Sequence, residues 1–340
     1  MEIMWMRSFY NKAPFFLFFG SLIFTSCSQQ LYKARFVLLP DTQYYTEKFP
    51  EVLDSQINWV KVHADDIDLV MQQGDLTQNN SAEEWQRVKH AFSRIQNVIP
   101  TVLAVGNHDM GSAPGKFADV RNTSLFNQYF PYDYLAKHPA FGGAFENGRS
   151  ENVFYFVNTG KIKWLVLTLE FGPRNAVLDW ANEVAAAHPN HTIILNTHSY
   201  MYSDSTRQGP GDKWRPQNYG VGRDTGDAAP NDGEEIWNKL VKKHPNIRFV
   251  FSGHILNTGV GTLVSINDAG LPVYQMLANY QSEVEGSVHG GNGYLRILDL
   301  DMKKNTLKVT TWSPFVNQTL ERPGQNFSIR HVLYKPNADQ

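Results

Sequence analysis

Short apolar runs alternate with segments whose apolar residues recur at helical spacing along most of the chain. The runs predict buried strands, and the helical spacing predicts amphipathic helices between them. The predicted strands are Arg35 to Leu39, Ile67 to Met71, Thr101 to Val105, Asn152 to Val157, Lys163 to Leu169, Thr192 to Asn196 and Arg248 to Ser252. The predicted helices are Pro50 to His63, Ala82 to Ile95, Ala176 to Ala187 and Glu234 to Lys243. The repeated order of strand, helix and strand predicts an α/β sheet with sites at its strand ends.

Local signals define several boundaries of these elements. Ser81 with Glu84 three residues later predicts a capping box at the start of a helix. Thr159 and Gly160 predict the turn of a hairpin. The region from Asn107 to about Ser150 predicts long loops, and Tyr200 to Gly233 predicts an irregular segment.

The C-terminal third has a pattern of its own. Val273 to Leu277 predicts a strand, and Tyr294 to Leu298 alternates in the way expected of an edge of a second sheet. Leu307 to Thr311 then closes a hairpin over Lys304 and Asn305.

The N-terminus has the layout of an export signal. Basic residues precede the apolar run Pro14 to Phe24, which is followed by Thr25, Ser26 and Cys27. This layout resembles a bacterial lipoprotein signal, in which residues 1–26 are removed and Cys27 is acylated. The expected product is exported and anchored by lipid to a membrane, facing the periplasm or the cell exterior. An ordinary secretory peptide with a chance cysteine and an uncleaved anchor are the alternatives.

Composition excludes several classes of protein. The chain of 340 residues has 42% hydrophobic residues, which excludes disorder over most of its length. Its 31 basic and 33 acidic residues make an extended nucleic-acid interface unattractive, because such an interface needs several phosphate contacts from Lys and Arg. The single cysteine excludes an intramolecular disulfide framework and a multi-cysteine zinc site.

Side chains that suit divalent metals follow five of the predicted strands. A Gly-Asp after a strand is usually a turn, and a lone His there is usually a hydrogen-bonded residue at the rim, so each feature alone is weak. As a series, they predict a common metal centre. The segments are Asp41-Thr42-Gln43, Gly74-Asp75, Gly106-Asn107-His108-Asp109, Thr197-His198 and Gly253-His254.

This series, spelled DTQ, GDL, GNHD, NTHS and GHIL, resembles the motifs of the calcineurin-like metallophosphoesterase family. The resemblance runs from Asp41 to His254 and implies a four-layer αββα sandwich of two mixed β-sheets flanked by helices. The expected domain covers residues 35–315, and residues 316–340 form a C-terminal extension.

The resemblance also implies a chemistry. Two divalent cations would hold a phosphoester, and a metal-bound hydroxide would attack it. His108 would assist the leaving group, with Asp109 fixing the orientation of His108. Asp75 would bridge the two cations, and Asp41 would bind the first. The implied ligands of the second are Asn107, His198 and His254.

Two positions depart from the family pattern. Gln43 stands where the first motif has a metal-binding histidine, and Leu256 stands where the last motif has its second histidine. Gln43 offers only a neutral amide oxygen to the first cation. Three interpretations follow: a rebuilt, oxygen-rich two-metal site, a one-metal enzyme, or a protein that binds metal without catalysis. Polar residues of the C-terminal third could compensate: Asn279, Gln281, His289 and Asn292.

The types of ligand atom limit which cations each site would bind, but they do not select a single cation. An oxygen-rich first site favours Mn²⁺, Mg²⁺ or Ca²⁺, and the second site suits Mn²⁺, Fe²⁺ or Zn²⁺.

The segment Tyr200 to Gly233 directly follows His198 and is predicted to overhang the metals. Its Arg215 and Arg223 are candidate contacts for a substrate phosphate. Glu170, at a strand end, is a candidate for orienting His198 or water. A surface loop with scattered charge is the alternative for the segment.

These features together predict a hydrolase that acts on a small phosphorylated substrate, monoester or diester. The alternative function is a lipid-anchored metal-containing binding protein without catalysis.

Overall fold

The computed structural model describes residues 32–332. The predicted export signal and Cys27 lie outside the described residues, so removal of residues 1–26 and acylation of Cys27 stay predictions. Within residues 32–332, every helix is too short or too polar to cross a lipid bilayer.

The described residues form fourteen strands in two mixed sheets. In chain order the strands are β1 (Lys33–Leu39), β2 (Leu69–Gln72), β3 (Thr101–Leu103), β4 (Phe141–Ala144), β5 (Val153–Thr159), β6 (Ile162–Leu169), β7 (Thr192–Thr197), β8 (Ile247–Ser252), β9 (Val260–Ile266), β10 (Pro272–Ala278), β11 (Leu295–Asp301), β12 (Thr306–Ser313), β13 (Gln318–Thr319) and β14 (Phe327–Arg330). The first sheet has the order β13-β12-β11-β1-β2-β3, with β14 also paired to β12, and the second has the order β4-β5-β6-β7-β8-β10-β9.

Seven α-helices connect the strands of the described part of the chain. They are α1 (Gln43–Lys48), α2 (Pro50–Val62), α3 (Ala82–Ser93), α4 (Ser124–Tyr129), α5 (Tyr132–Leu135), α6 (Asn175–Ala187) and α7 (Gly233–Lys239). Apolar residues of α2 and α3 pack on one face of the first sheet, and those of α6 and α7 pack on one face of the second. The helices therefore cover the outer faces of the sandwich.

The inner faces of the two sheets pack on each other. Their shared core includes Phe36 of the first sheet and Trp164 of the second, whose rings meet edge to face at 5.1 Å. Asn196 Nδ2 donates to the carbonyl oxygen of Gln72 at 3.0 Å and so joins the two sheets near their strand ends. This arrangement confirms the predicted α/β sandwich of two mixed sheets flanked by helices.

Parallel pairing determines where the strand ends meet. Strands β1, β2 and β3 run parallel in the first sheet, and β6, β7, β8 and β10 run parallel in the second. Because the carboxyl ends of parallel strands meet at one edge, the segments after β1, β2, β3, β7 and β8 are brought together.

Most predicted elements are confirmed, with small shifts at their ends. The capping box of Ser81 and Glu84 is present at the start of α3. The predicted loop region from Asn107 to about Ser150 contains α4, α5 and β4, which have 6, 4 and 4 residues and are too short to show a period.

The expectation that Tyr294 to Leu298 forms an edge of the second sheet is wrong. Strand β11 pairs with both β1 and β12 and is an interior strand of the first sheet. Alternation shows that one face of a strand is buried, but it carries no information about the partner strand. The described part of the expected C-terminal extension, residues 316–332, adds β13 and β14 to the same sheet.

Candidate metal centre

The strand ends bring six of the residues predicted from the sequence into one buried cluster, and none of the six is more than 6% exposed. The first sheet and its loops supply four of them, and the second sheet supplies two. They are Asp41 after β1, Gln43 at the start of α1, Asp75 after β2, Asn107 after β3, His198 after β7 and His254 after β8.

Four potential ligand atoms converge around His198. Its Nε2 lies 3.2 Å from Asp75 Oδ1, 3.1 Å from Asn107 Oδ1 and 3.1 Å from His254 Nδ1. Ligand atoms of Asp75, His198 and His254 all lie within 4.8 Å of one another. Two imidazole nitrogens, a carboxylate and an amide oxygen form a donor set that suits a divalent transition metal.

Backbone carbonyls set the tautomers of both histidines. His198 Nδ1 lies 2.8 Å from the carbonyl oxygen of Gln73, and His254 Nε2 lies 2.7 Å from that of Trp214. A carbonyl oxygen can only accept, so each of these nitrogens carries a hydrogen. The opposite nitrogens, His198 Nε2 and His254 Nδ1, are thereby left to face the cluster, as in metal sites whose histidines are oriented by an outer partner.

Oxygen atoms dominate the side of the cluster near β1. Gln43 Nε2 donates to Asp75 Oδ2 at 3.1 Å, and the backbone N–H of His254 donates to the Asp41 carboxylate at 3.0 Å. Gln43 Oε1 is buried and has no hydrogen-bond partner among the described residues. A buried acceptor without a donor costs free energy unless something positive meets it. Asp41, Gln43 and Asp75 therefore supply oxygen atoms of the kind that a hard cation takes as ligands.

The electrostatics of the cluster depend on burial and on the two carboxylates. Burial alone would lower the pKa of His198, but the charge of Asp75 and its hydrogen bond, with the charge of Asp41, raise it to about 9. Burial, together with the charge of His198, lowers the pKa of His254 to about 3. The pKa of Asp41 is raised, chiefly by burial. Burial opposes ionisation of Asp75, yet the neighbouring histidines hold its pKa below its usual value.

Backbone geometry at the cluster is strained. Asp41, Asp75 and His254 have φ values of 34°, 53° and 73°, in the left-handed region that side chains other than glycine rarely adopt. Two glycines of the motifs are required because a carboxylate oxygen lies where their Cβ atom would be. A Cβ at Gly106 would lie 2.1 Å from Asp75 Oδ1, and a Cβ at Gly253 would lie 2.3 Å from Asp41 Oδ2.

His108 lies beside the cluster with its ring held by two contacts. Its Nδ1 lies 2.7 Å from the carbonyl oxygen of Gln78, and its ring lies against Phe117 with 4.0 Å between the centroids. Its backbone N–H donates to Asp75 Oδ1 at 3.0 Å. The imidazole is partly exposed, so its Nε2 is available to a bound molecule.

The expected orientation of His108 by Asp109 is wrong. The Asp109 carboxylate is fully buried and accepts the backbone N–H groups of Leu76, Thr77 and Gly106, at 2.9 to 3.0 Å. Burial, and then the charge of Asp75, raises the pKa of Asp109 to about 6. Asp109 thus ties the loop after β3 to the loop after β2, and Gln78 orients the His108 ring instead.

Two of the three candidate substrate contacts are engaged within the protein. Glu170 is buried and its Oε1 accepts from Arg174 Nε at 2.8 Å, with Arg121 at 3.3 Å. It therefore pairs with arginines, and the Gln73 carbonyl orients His198 instead. Arg215 forms an ion pair with the fully buried Asp232. Arg223 is exposed and accessible to a bound molecule.

The four polar residues proposed to compensate for the missing histidines fall into two pairs. His289 is exposed, and its Nδ1 lies 3.2 Å from Asn292 Oδ1. Asn279 and Gln281 are buried, and the backbone N–H of Gln281 donates to Asn279 Oδ1 at 2.9 Å. Asn279 Nδ2 and Gln281 Oε1 are buried without a partner among the described residues. Their contribution to metal binding stays a prediction.

Sequence reasoning missed the residues that surround the histidines. The ring of Phe171 lies 5.9 Å from that of His198 and 5.2 Å from that of His254, and Tyr219 packs against Phe171. The carbonyl contacts of Gln73 and Trp214 were missed as well. A carbonyl is present at every position, so no side-chain pattern signals such contacts.

The sandwich and the buried donor set together define a class of protein. Residues 34–257 match the family described as calcineurin-like phosphoesterase, and the chain belongs to this family. Members of the family typically bind divalent metals, for which the cluster around His198 is the candidate site.

Among particular relatives, the chain is 29% identical over 289 residues to the uncharacterized protein YvnB of Bacillus subtilis (strain 168). The match covers 83% of this chain and 20% of YvnB, so this chain spans about a fifth of that relative's length.

Two solved structures were compared with this one, and the first of them shows the same fold. The purple acid phosphatase PPD1 of yellow lupin (Lupinus luteus) superposes with a TM-score of 0.54 at 14% identity, over 89% of this chain and 55% of that one. A 5'-nucleotidase precursor from Thermus thermophilus matches with a TM-score of 0.43 at 12% identity, over 87% of this chain and 54% of that one. At this identity the lupin structure shows the fold alone.

Proposed function

We propose that this protein is a metal-dependent hydrolase of phosphoesters that acts on a small phosphorylated substrate, monoester or diester. One observation carries the proposal: Asp75, Asn107, His198 and His254 direct four ligand atoms at one buried point. Carbonyl contacts direct the opposite nitrogen of each histidine at this point. Membership of the phosphoesterase family supports the reaction class.

Divalent cations held at the cluster would supply positive charge to a phosphoryl oxygen and would acidify water for the attack. Asp75, Asn107, His198 and His254 would hold one cation. Asp41, Gln43 and Asp75 would hold another with oxygen atoms alone, because an amide stands where the family pattern has an imidazole. This set favours Mn²⁺, Mg²⁺ or Ca²⁺, whereas the set containing the two histidines suits Mn²⁺, Fe²⁺ or Zn²⁺.

His108 is the proposed proton donor to the leaving group. The carbonyl of Gln78 fixes its Nδ1–H, and Phe117 supports the plane of its ring. The partly exposed Nε2 is then the atom from which the imidazolium form of His108 would give a proton to a leaving oxygen, which leaves the neutral ring with its hydrogen on Nδ1. Arg223 is exposed on the segment whose Trp214 contacts His254, and it is a proposed contact for the phosphate.

The test is turnover of chromogenic phosphomonoester and phosphodiester substrates by the purified protein with added Mn²⁺. We expect hydrolysis by the wild type, and we expect Asn107→Ala and His198→Ala to lose both bound metal and turnover while circular dichroism shows a folded protein. Exposed residues provide matched controls, Asn238→Ala and His90→Ala, which should behave as the wild type.

His108→Ala separates catalysis from metal binding. We expect it to lower kcat by at least about a hundredfold, the range for loss of a general acid, with metal content unchanged. Equal loss of metal and turnover would overturn the proposed role of His108. A folded wild type with stoichiometric metal and no turnover on a broad panel of phosphoesters would overturn the hydrolase proposal and favour a metal-containing binding protein.

A further inference from the structure

One residue of the irregular segment Tyr200 to Gly233 touches a proposed ligand of the metal centre. Trp214 has a φ of 59°, in the left-handed region, and its carbonyl oxygen lies 2.7 Å from His254 Nε2. A tryptophan in this conformation is strained, so its surroundings must hold it there. The strained residue is thus the one whose carbonyl sets the tautomer of His254.

An ion pair holds the segment on one side of Trp214. Arg215 Nε donates to Asp232 Oδ2 at 2.9 Å, and a second nitrogen of the same guanidinium contacts the same oxygen. Asp232 is fully buried and caps α7, accepting the backbone N–H of Glu235 through its Oδ1. Arg215 is therefore tied to the first turn of α7, a helix that packs on the outer face of the second sheet.

A hydrogen-bond chain holds the segment on the other side. Gln208 Nε2 donates to the carbonyl oxygen of Lys213 at 3.2 Å, and Ser199 Oγ donates to Gln208 Oε1 at 2.6 Å. Ser199 directly follows the ligand His198. Trp214 thus lies between two neighbours that are each tied to the body of the protein.

We propose that Arg215 is a positioning residue of the metal centre: its ion pair with Asp232 holds the Trp214 carbonyl against His254 and so keeps His254 Nδ1 available to a cation. This inference rests on the metal centre of the proposed function and not on hydrolysis. Without the carbonyl, the His254 ring is able to rotate or to move its hydrogen to Nδ1, which removes the lone pair that faces His198. Outer partners of this kind change metal affinity about ten- to a hundredfold.

Coupling of this kind is reciprocal. If the position of the segment changes the affinity for a cation, then the cation stabilises the segment by the same factor. A bound cation should therefore protect the Lys213–Trp214 peptide bond from trypsin, which cleaves after lysine.

The central experiment measures binding of Mn²⁺ to Arg215→Met by titration calorimetry. A matched control is Arg94→Met, because Arg94 also forms an ion pair with an aspartate and its side chain is 23% exposed, against 18% for Arg215. We expect Arg215→Met to weaken binding by at least about tenfold and Arg94→Met to leave it unchanged. In protein labelled with ¹⁵N-histidine, NMR should show the Nε2–H tautomer of His254 in the wild type and a mixture in Arg215→Met.

A second variant covers the case in which Arg215→Met fails to fold. Asp232→Asn can keep its cap to Glu235 while directing an amide N–H at Arg215, so it should weaken Mn²⁺ binding and alter the His254 signals in the same way. Wild-type affinity in the folded variants, or an unchanged His254 tautomer, would overturn the proposal. Neither readout depends on turnover, so the proposal can survive even if no phosphoester is hydrolysed.

Discussion

At the scale of single residues, His198 lies between the carboxylates of Asp75 and Asp41, at 3.2 Å and 3.8 Å. Before a cation binds, these charges raise the pKa of His198 to about 9, despite the opposing effect of burial. The ring therefore carries a proton at neutral pH that a cation must displace. His254, with a pKa of about 3, is already neutral and needs no such exchange.

The affinity for Mn²⁺ should consequently rise with pH. A group with a raised pKa stays protonated below that pKa, so between pH 6.5 and 9 each unit of pH should increase the apparent affinity about tenfold, with a plateau near pH 9. Titration calorimetry at several pH values measures this slope. Repeating the titration at pH 7 in buffers of different ionisation enthalpy should show release of about one proton per cation. A flat profile without proton release would contradict the prediction.

The motif glycines show what a residue alone can reveal. Gly106 and Gly253 are visible in the sequence as parts of GNHD and GHIL, which favour turns. Only the structure shows that each must lack a Cβ because a carboxylate of the metal centre occupies that space.

At the scale of elements, α3 is the helix whose start was clearest in the sequence. Ser81 Oγ accepts the backbone N–H of Glu84, and Glu84 reaches back to the backbone N–H of Ser81. The signal is local, because both partners lie within one turn.

Ser81→Ala should lower the free energy of unfolding by about 1 kcal/mol, because it removes the acceptor at the start of the helix. Urea unfolding measures this change, and the affinity for Mn²⁺ should stay that of the wild type. Ser93→Ala, at the exposed C-terminal end of the same helix, is the control and should change stability by less than about 0.5 kcal/mol. A comparable loss in both variants would contradict a specific capping effect.

The sequence did not predict the elements that lack a regular spacing of apolar residues. Gln43 was treated as part of a strand end, yet it begins α1, which has only six residues. β9 also escaped prediction, because its exposed edge position gives it mixed burial along its length. The partner of each strand could not be predicted either, because pairing depends on chain segments far apart in sequence.

At the scale of the whole molecule, the candidate metal centre lies where the two sheets meet. Asp41, Asp75 and Asn107 come from the first sheet and its loops, and His198 and His254 come from the second. The cation proposed for Asp75, Asn107, His198 and His254 takes ligands from both sheets, so unfolding must release it.

Mn²⁺ should therefore stabilise the whole fold. At a free concentration about 100 times Kd, the expected gain in the free energy of unfolding is about 2.7 kcal/mol, provided that the unfolded chain does not bind the cation. Urea unfolding with and without Mn²⁺ measures it. Asn107→Ala, which removes one ligand, should show a much smaller gain, and an equal gain in that variant would indicate binding elsewhere.

The resemblance to the family implied the sandwich of two sheets. The sequence by itself determined the alternation of strands and helices, the six clustered residues and the order in which they follow their strands. It could do so because strand ends, turns and metal-binding side chains leave local patterns. The tertiary structure alone decided which nitrogen of His198 and His254 faces the cluster, and that Glu170 and Arg215 pair within the protein. These outcomes depend on backbone carbonyls and on partners distant in the chain, neither of which has a signature in the order of residues.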